Sequence, residues 1–380
     1  MRKPVQNRHD TAIADVVSAH DRPDDTGMTK ASDRTGLALR RRWWLIALAA
    51  LIIAGAVGRD RLRFKPREPL LALTPIPVAT RAIAEFSRFG AAADPESPLT
   101  FRGGLVIESA SPHFGGISGL RVTDQGHGFI AVTDAGYWVQ GRLLYDAGRP
   151  GGLADIVMAP VLGAEGAPLR ESGKGDLESI ALAGEAAYVG FEGFRNGVAY
   201  FRPKSDLLLQ RGRLLPVPPD IVALPKGRGL EALAMLPAGH DFGGSLLAIA
   251  ERDRTGRGLA PAWILKDGAA LELKVRLKDG YDISDAAFVP EGDLLLLERR
   301  LSLLGGFAMR LRRIPAADIR PGAILDGPSL LEANRLFHEI DNMEGISAHR
   351  DELGKTVVTV VSDDNFLPVQ RKLLLQWELK

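Results

Sequence analysis

The 380-residue sequence contains no cysteine, which excludes disulfide bonds, thiolate metal sites and a cysteine nucleophile. Its seven histidines are scattered, and none stands at the spacing of a zinc-binding motif. The net charge of +1 leaves no electrostatic basis for binding nucleic acid. Sustained helical periodicity is missing from the chain beyond residue 100, whereas glycine (42) and proline (24) are plentiful. This balance favours short elements joined by many turns.

An apolar run near the N-terminus, residues 43–58, follows the basic cluster Arg40-Arg41-Arg42. Such a pair of features is typical of an export signal, and the same run could instead remain as a membrane anchor. Residues 1–42 are polar and lack apolar periodicity, so we expect a disordered leader on the cytoplasmic side. The sequence therefore predicts an exported, periplasmic protein, either cleaved or tethered to the inner membrane. Residues 59–98 are interpreted as a linker and residues 99–380 as the folded domain.

Strand-like runs of four to six residues, bounded by charged or glycine-rich turns, recur throughout the folded domain. A local motif with a polar residue before small or apolar residues recurs at Ser118, Glu178, Glu231, Ser284 and Glu344. The steps between these residues are 60, 53, 53 and 60. A near-constant period with several strands per unit predicts an all-β fold, a β-propeller.

Five repeat units are visible, and we expect the strand-like stretches 99–109 and 372–378 to complete a sixth blade by closing the ring. Two alternative architectures are a pair of β-sandwiches and a β-helix. The first would not require equal spacing, and the second would need a much shorter period. The hypothesis of a six-bladed propeller therefore fits the pattern best.

The repeated acidic residues would converge, because the innermost strands of a propeller line one central channel. Carboxylates crowded at its mouth cannot all be ionised unless a cation neutralises them or some hold protons. Oxygen ligands of this kind suit Ca²⁺, and metal-activated water next to a carboxylate base can hydrolyse an ester. The candidates for catalysis are Glu178, Glu231 and Glu344, and the candidates for metal binding are Glu178, Glu231, Asp285 and Glu344.

Arginines at hairpin ends are candidates for holding an anionic substrate, because a guanidinium can bind such a group in a bidentate manner. The candidate substrate-binding residues are Arg195, Arg252, Arg299 and, close to the motif series, His113. Two simpler interpretations stay open. The acidic residues could only accept backbone N–H groups in turns, and the neighbouring Glu–Arg pairs could be plain salt bridges.

A serine hydrolase is a less favoured alternative, since Gly345-Ile346-Ser347-Ala348-His349 resembles a nucleophile elbow but lacks its final glycine. Lactonase-like hydrolysis and non-catalytic binding of a ligand or protein in the cell envelope are further alternatives. We expect a monomer that takes a small anionic or ester substrate and binds no nucleic acid.

The repeat motifs together resemble the bacterial phytase-like family, whose members are described by an "esterase-like activity of phytase". The resemblance covers roughly residues 100–380. It rests on Gly116–Leu120, Asp176–Ile180, Gly229–Leu233, Leu295–Arg299 and Asn342–Ile346. The resemblance implies a six-bladed propeller, export from the cytoplasm, and hydrolysis of phosphoesters or carboxyl esters. Phytases with this fold bind several Ca²⁺ ions through acidic clusters, but those clusters do not map residue by residue onto this sequence. Because one fold hosts many activities, the substrate stays open.

Overall fold

A computed structural model of the chain describes residues 68–380, apart from 91–95, 194, 203–205 and 253–255. The described residues belong to the second of two units, Arg67–Lys380. The leader, the apolar run at 43–58 and the first part of the linker lie outside the described residues. Within the described part of the chain, no helix is long and apolar enough to cross a membrane.

The second unit is built from β-strands grouped into five sheets, the blades of a propeller. Blade one contains β1 (Thr74–Pro75), β4 (Ile117–Thr123), β5 (Gly128–Thr133), β6 (Tyr137–Asp146) and β7 (Arg149–Pro160). Blade two contains β8 (Asp176–Ala183), β9 (Ala186–Glu192), β10 (Gly197–Phe201) and β11 (Arg213–Leu214). Blade three contains β12 (Leu230–Met235), β13 (Leu246–Ala250), β14 (Leu259–Lys266), β15 (Ala269–Arg276) and β19 (Ile324–Leu325).

Blade four contains β16 (Asp282–Phe288), β17 (Leu294–Ser302), β18 (Gly306–Ile314) and β20 (Ser329–Asn334). Blade five contains β2 (Ala79–Ile83), β3 (Leu99–Glu108), β21 (Asn342–Arg350), β22 (Thr356–Asp363) and β23 (Lys372–Leu379). One α-helical turn spans Pro219–Val222. Short 3₁₀ turns span Asp124–Gly126, Leu169–Ser172, Leu207–Leu209 and Ala316–Asp318. The innermost strands β4, β8, β12, β16 and β21 contact one another in sequence, and β21 returns to β4.

The prediction of an all-β propeller is confirmed, but the prediction of six blades is wrong, because the described residues form five. The two stretches expected to build a sixth blade pair with each other in antiparallel fashion, from Leu99 with Leu379 to Ile107 with Lys372. That ladder adds β3 to the blade that already contains β21 and β22. The closing strands therefore complete the last repeat unit, which has only three strands of its own, and leave none for a further blade.

Apolar side chains fill the five wedges between adjacent blades. Between blades one and two, for example, the buried rings of Trp138 and Phe201 meet edge to face at 5.1 Å. The uninterrupted run Leu294–Leu297 is fully buried because β17 is covered on both faces. Burial of one such leucine side chain contributes about 1.5–3 kcal/mol to stability.

Each inner strand carries one β-bulge near its first residue, at the same place in all five blades. The bulged residues are Ser118, Glu178, Glu231, Ser284 and Glu344. A bulge inserts one extra residue into a strand and turns its side chain away from the regular pleat. The five residues that share the sequence period are therefore also equivalent in the backbone.

Candidate functional site

The beginnings of the five inner strands gather at one end of the ring, which we call the mouth. Two positions in each blade bring polar side chains there. The first is the bulge position described above. The second, here called the partner position, lies on the next strand opposite the residue two places before the bulge. The partner positions are Asp134, Glu192, Glu251, Arg299 and Asp363. Four blades thus place a carboxylate at this position and blade four places an arginine.

Three carboxylates of blades two and three form a close cluster, the glutamate trio Glu178, Glu192 and Glu231. One carboxylate oxygen from each residue lies within 4.8 Å of the other two. Glu192 and Glu231 are buried, and Glu178 is half-buried. Three negative charges this close in a poorly solvated place repel one another strongly. A bound cation or bound protons would relieve this repulsion.

The environment of Glu192 favours its neutral form. Burial raises the pKa of this carboxyl group, and the nearby carboxylates of Asp176 and Glu251 raise it further. Backbone N–H groups of Gly227 and Gly229 act in the opposite direction by donating to the carboxylate. The pKa of Glu192 is raised overall, as expected for a carboxyl group that shares a poorly solvated place with other carboxylates.

An orphaned amide oxygen adds to the donors of the trio. Asn196 is buried, and its Nδ2 donates to the carbonyl of Leu224 at 2.7 Å, while its Oδ1 has no hydrogen-bond partner among the described residues. Gly229 leaves open the space beside it, since a Cβ at 229 would lie 2.9 Å from Glu192 Oε2 and 3.2 Å from Asn196 Oδ1. Three carboxylates and one amide oxygen form the kind of donor set that Ca²⁺ prefers. The residues present therefore fit a hard divalent cation.

Glu344 lies apart from the trio and is held by its own partners. Its Oε1 accepts hydrogen bonds from Asn342 Nδ2 at 2.6 Å and from Arg299 Nη1. Arg299 also reaches the next carboxylate, with Nη2 at 3.3 Å from Glu251 Oε1. Arg299 therefore bridges two acidic residues of the mouth.

Asp285, also expected as a metal ligand, is fully buried on the axis of the ring. Its two oxygens lie 3.0 and 3.4 Å from the guanidinium of Arg121, and it accepts N–H groups from Ile346 and Ala286. Burial raises its pKa to about 6, although Arg121 lowers it. The bulge at Ser284 explains this placement, because residue 285 follows the bulge and points the other way. The structure does not bring Asp285 to the glutamate trio.

Arg121 itself spans the axis of the propeller. Its Nη atoms donate to carbonyl oxygens on four inner strands as well as to Asp285. These carbonyls belong to Leu120, Leu233, Ala286 and Ile346. The guanidinium therefore closes the centre of the ring behind the mouth.

The remaining candidates for substrate binding occupy different surroundings. Arg252 is exposed at the mouth, with Nη2 at 2.6 Å from Asp282 Oδ2 and Nε at 3.5 Å from Glu251 Oε2. Arg195 is exposed and directly precedes Asn196. His113 is half-buried, with its ring 6.0 Å from that of Tyr137.

Three members of the site, Glu192, Asn196 and Arg121, are not among the residues that the sequence pattern predicts. The signal for Glu192 is its place opposite Asp176 in a hairpin. Glu298 also stands at a strand end, but it lies one register step from Arg299 and faces away from the mouth. It is fully buried and accepts hydrogen bonds from Arg310 and Arg312 at 2.6–2.9 Å.

A family model described as "Phytase-like: Esterase-like activity of phytase" matches residues 112–366, which is more than half of the chain. A search of curated protein sequences gave no match. Among solved structures, a putative gluconolactonase is 13% identical, with 81% of this chain and 96% of that chain covered and a TM-score of 0.39. A glucose dehydrogenase is 14% identical over 73% of this chain and 98% of its own, with a TM-score of 0.35. A luciferin-regenerating enzyme is 10% identical over 80% and 95%, with a TM-score of 0.37. At these values the three structures carry no functional argument for this chain.

Proposed function

The chain belongs to the phytase-like family, and from that premise we propose that its mouth is a hydrolytic centre for a phosphoester or carboxyl ester. The observation that carries this proposal is the glutamate trio with its added donor, Asn196 Oδ1. Two of these carboxylates are buried, and the amide oxygen has no partner among the described residues, so a bound cation would stabilise the arrangement. The proposed cation is divalent, with Ca²⁺ as the first candidate.

In this proposal Glu178, Glu231, Glu192 and Asn196 hold the ion through oxygen atoms. A bound divalent cation would neutralise the trio and polarise an oxygen of the ester. The water that attacks the ester would lose its proton to a carboxylate of the mouth. The exposed guanidinium of Arg252 stands at the rim, where it can attract the anionic part of a substrate.

The test uses the purified full chain with and without added Ca²⁺ on an aryl phosphate, a short-chain aryl ester and a lactone. We expect calcium-dependent turnover of the phosphate or the aryl ester. Glu178→Gln and Glu231→Gln should each lower it by about 100-fold or more, because each change removes a charged ligand of the ion that would polarise the ester, an effect worth several kcal/mol. Glu185→Gln is the matched control, because Glu185 is exposed in the turn at the far end of the same blade.

Three outcomes would lead to different conclusions. Turnover of the lactone alone would favour the lactonase-like alternative. Calcium binding without any turnover would favour a non-catalytic binding propeller. Equal activity of Glu178→Gln, Glu231→Gln and the control would refute the trio as the reactive site.

We further propose that the protein works outside the cytoplasm, with residues 43–58 as its export signal or membrane anchor. The support is the sequence pattern alone, three arginines followed by an apolar run. A reporter enzyme that is active only in the periplasm, fused to the C-terminus of the full chain, tests this. Deletion of residues 43–58 should abolish reporter activity, and equal activity of both fusions would contradict the proposal.

A further inference from the structure

One geometric relation occurs at two places of the mouth, in which a partner position faces the bulge position of the next blade. Between blades two and three this relation brings together Glu192 and Glu231, two carboxylates. Between blades four and five it brings together Arg299 and Glu344, which form an ion pair. The same pair of backbone positions therefore carries two negative charges in one place and opposite charges in the other.

The contacts of Arg299 resemble those of a bound metal ion. Its guanidinium contacts the carboxylates of Glu344 and Glu251 and lies 3.4 Å from the amide oxygen of Asn342. Both glutamates are 5% exposed or less, so each needs a counter-charge close by. Two buried carboxylates and an amide oxygen around one positive group form an oxygen donor set like that of the trio. In this set the cation belongs to the chain itself.

We infer that Arg299 is a resident cation that occupies the position of a second divalent ion. The inference rests on the proposed function in that the trio binds the first ion. The natural chain then binds one ion at Glu178, Glu192 and Glu231, and a fixed guanidinium replaces a second one. Replacement of Arg299 by glutamate, the residue at the partner positions of blades two and three, should create a second metal site.

The experiment counts bound Ca²⁺ on the full chain by isothermal titration calorimetry and by metal analysis after gel filtration. We expect one ion for the natural chain, two for Arg299→Glu and one for Arg299→Lys, which keeps the charge. The double variant Arg299→Glu with Glu231→Gln should bind one ion, because the trio is then disrupted and only the new site at Glu251 and Glu344 remains. An unchanged count in Arg299→Glu would overturn the inference.

The two proposals fail in different ways in this experiment. If the natural chain binds no Ca²⁺ while Arg299→Glu binds one ion, the metal-dependent hydrolytic centre fails but the inference about Arg299 stands. If the natural chain binds one ion and Arg299→Glu also binds one, the inference fails and the proposed function is unaffected.

The charge reversal adds a third carboxylate beside Glu251 and Glu344, so the variant should be unstable without metal. We expect its melting temperature to rise more with Ca²⁺ than that of the natural chain, because an ion that binds only the folded state stabilises it. Arg299→Gln, which adds no negative charge, is the second variant and should also bind an additional ion, more weakly. Failure of Arg299→Glu to fold at any Ca²⁺ concentration would count against the inference, as would a count of one in Arg299→Gln.

Discussion

Replacement of Arg121 by methionine should destabilise the fold far more than the loss of a surface ion pair. The guanidinium holds both oxygens of the fully buried Asp285, at 3.0 and 3.4 Å. Removal of one partner from a buried ion pair leaves the other charge uncompensated, at a cost of about 3–5 kcal/mol. Four backbone carbonyls lose a donor in the same change. We therefore expect a loss near the upper end of this range at neutral pH.

The loss should depend on pH in a defined direction. An acid whose pKa is raised in the folded state contributes its stability fully below its unfolded pKa, near 3.9, and loses it as the pH rises toward the folded pKa. In the natural chain this loss ends where the pKa of Asp285 lies, at about 6. Without Arg121, which lowers that pKa, the loss continues above pH 6. The difference between the two proteins should therefore grow by about 1.4 kcal/mol per pH unit above 6 and level off below it.

Urea unfolding at pH 5, 6, 7 and 8, followed through the fluorescence of the buried tryptophans, measures this difference. Arg142→Met is the control, because Arg142 and Asp155 form an exposed pair worth less than about 1 kcal/mol. Adding Asp285→Asn to the Arg121 variant should remove the growth of this stability difference above pH 6. A loss below 1 kcal/mol at pH 7, or a loss equal at all four pH values, would refute the reasoning.

Further predictions concern the metal site and the packing. Gly229→Ala should weaken Ca²⁺ binding, measured by calorimetry, about 10-fold, because its Cβ would crowd Glu192 Oε2. Gly239→Ala is the control and should leave the affinity unchanged, because its Cβ would meet no described atom within 4 Å. Calcium affinity should fall as the pH is lowered toward the usual carboxyl range near 4. Protons compete with the ion for the carboxylate of Glu192, whose pKa is raised, and an affinity independent of pH would contradict the assignment. Phe201→Ala should lower the free energy of unfolding in urea by about 3–5 kcal/mol, because Phe201 is buried. Phe337→Ala should lower it far less, because Phe337 is half-exposed.

The repeat could be predicted because a propeller blade is a local unit whose strands follow one another in the chain. The equal spacing of Ser118, Glu178, Glu231, Ser284 and Glu344 reflects a shared backbone feature, the bulge at the start of each inner strand. The number of blades is not local, because it depends on where the terminal strand β3 pairs. Its partner β23 lies at the other end of the folded unit, and no spacing in the sequence encodes that pairing.

The membership of the site was predicted only in part for a related reason. Glu178 and Glu231 belong to the repeated motif and do meet, but their third member, Glu192, comes from a neighbouring strand. Glu344 belongs to the same motif, yet Arg299 already neutralises it. Whether a strand-end residue faces the mouth depends on a single step of register, which separates Arg299 from the buried Glu298. Sequence spacing of the inner strands alone does not determine that step.

The guanidinium of Arg121 also affects how substrate and product would reach and leave the proposed site. Because it binds carbonyl groups on four inner strands, the guanidinium blocks passage along the axis behind the mouth, and the space on the mouth side of it is here called the cup. A substrate and the product made from it must then enter and leave by the same route. Each turnover has to empty the cup before the next molecule can occupy it. A product that keeps its anionic group would compete with new substrate at the mouth, so for the proposed activity we expect competitive product inhibition.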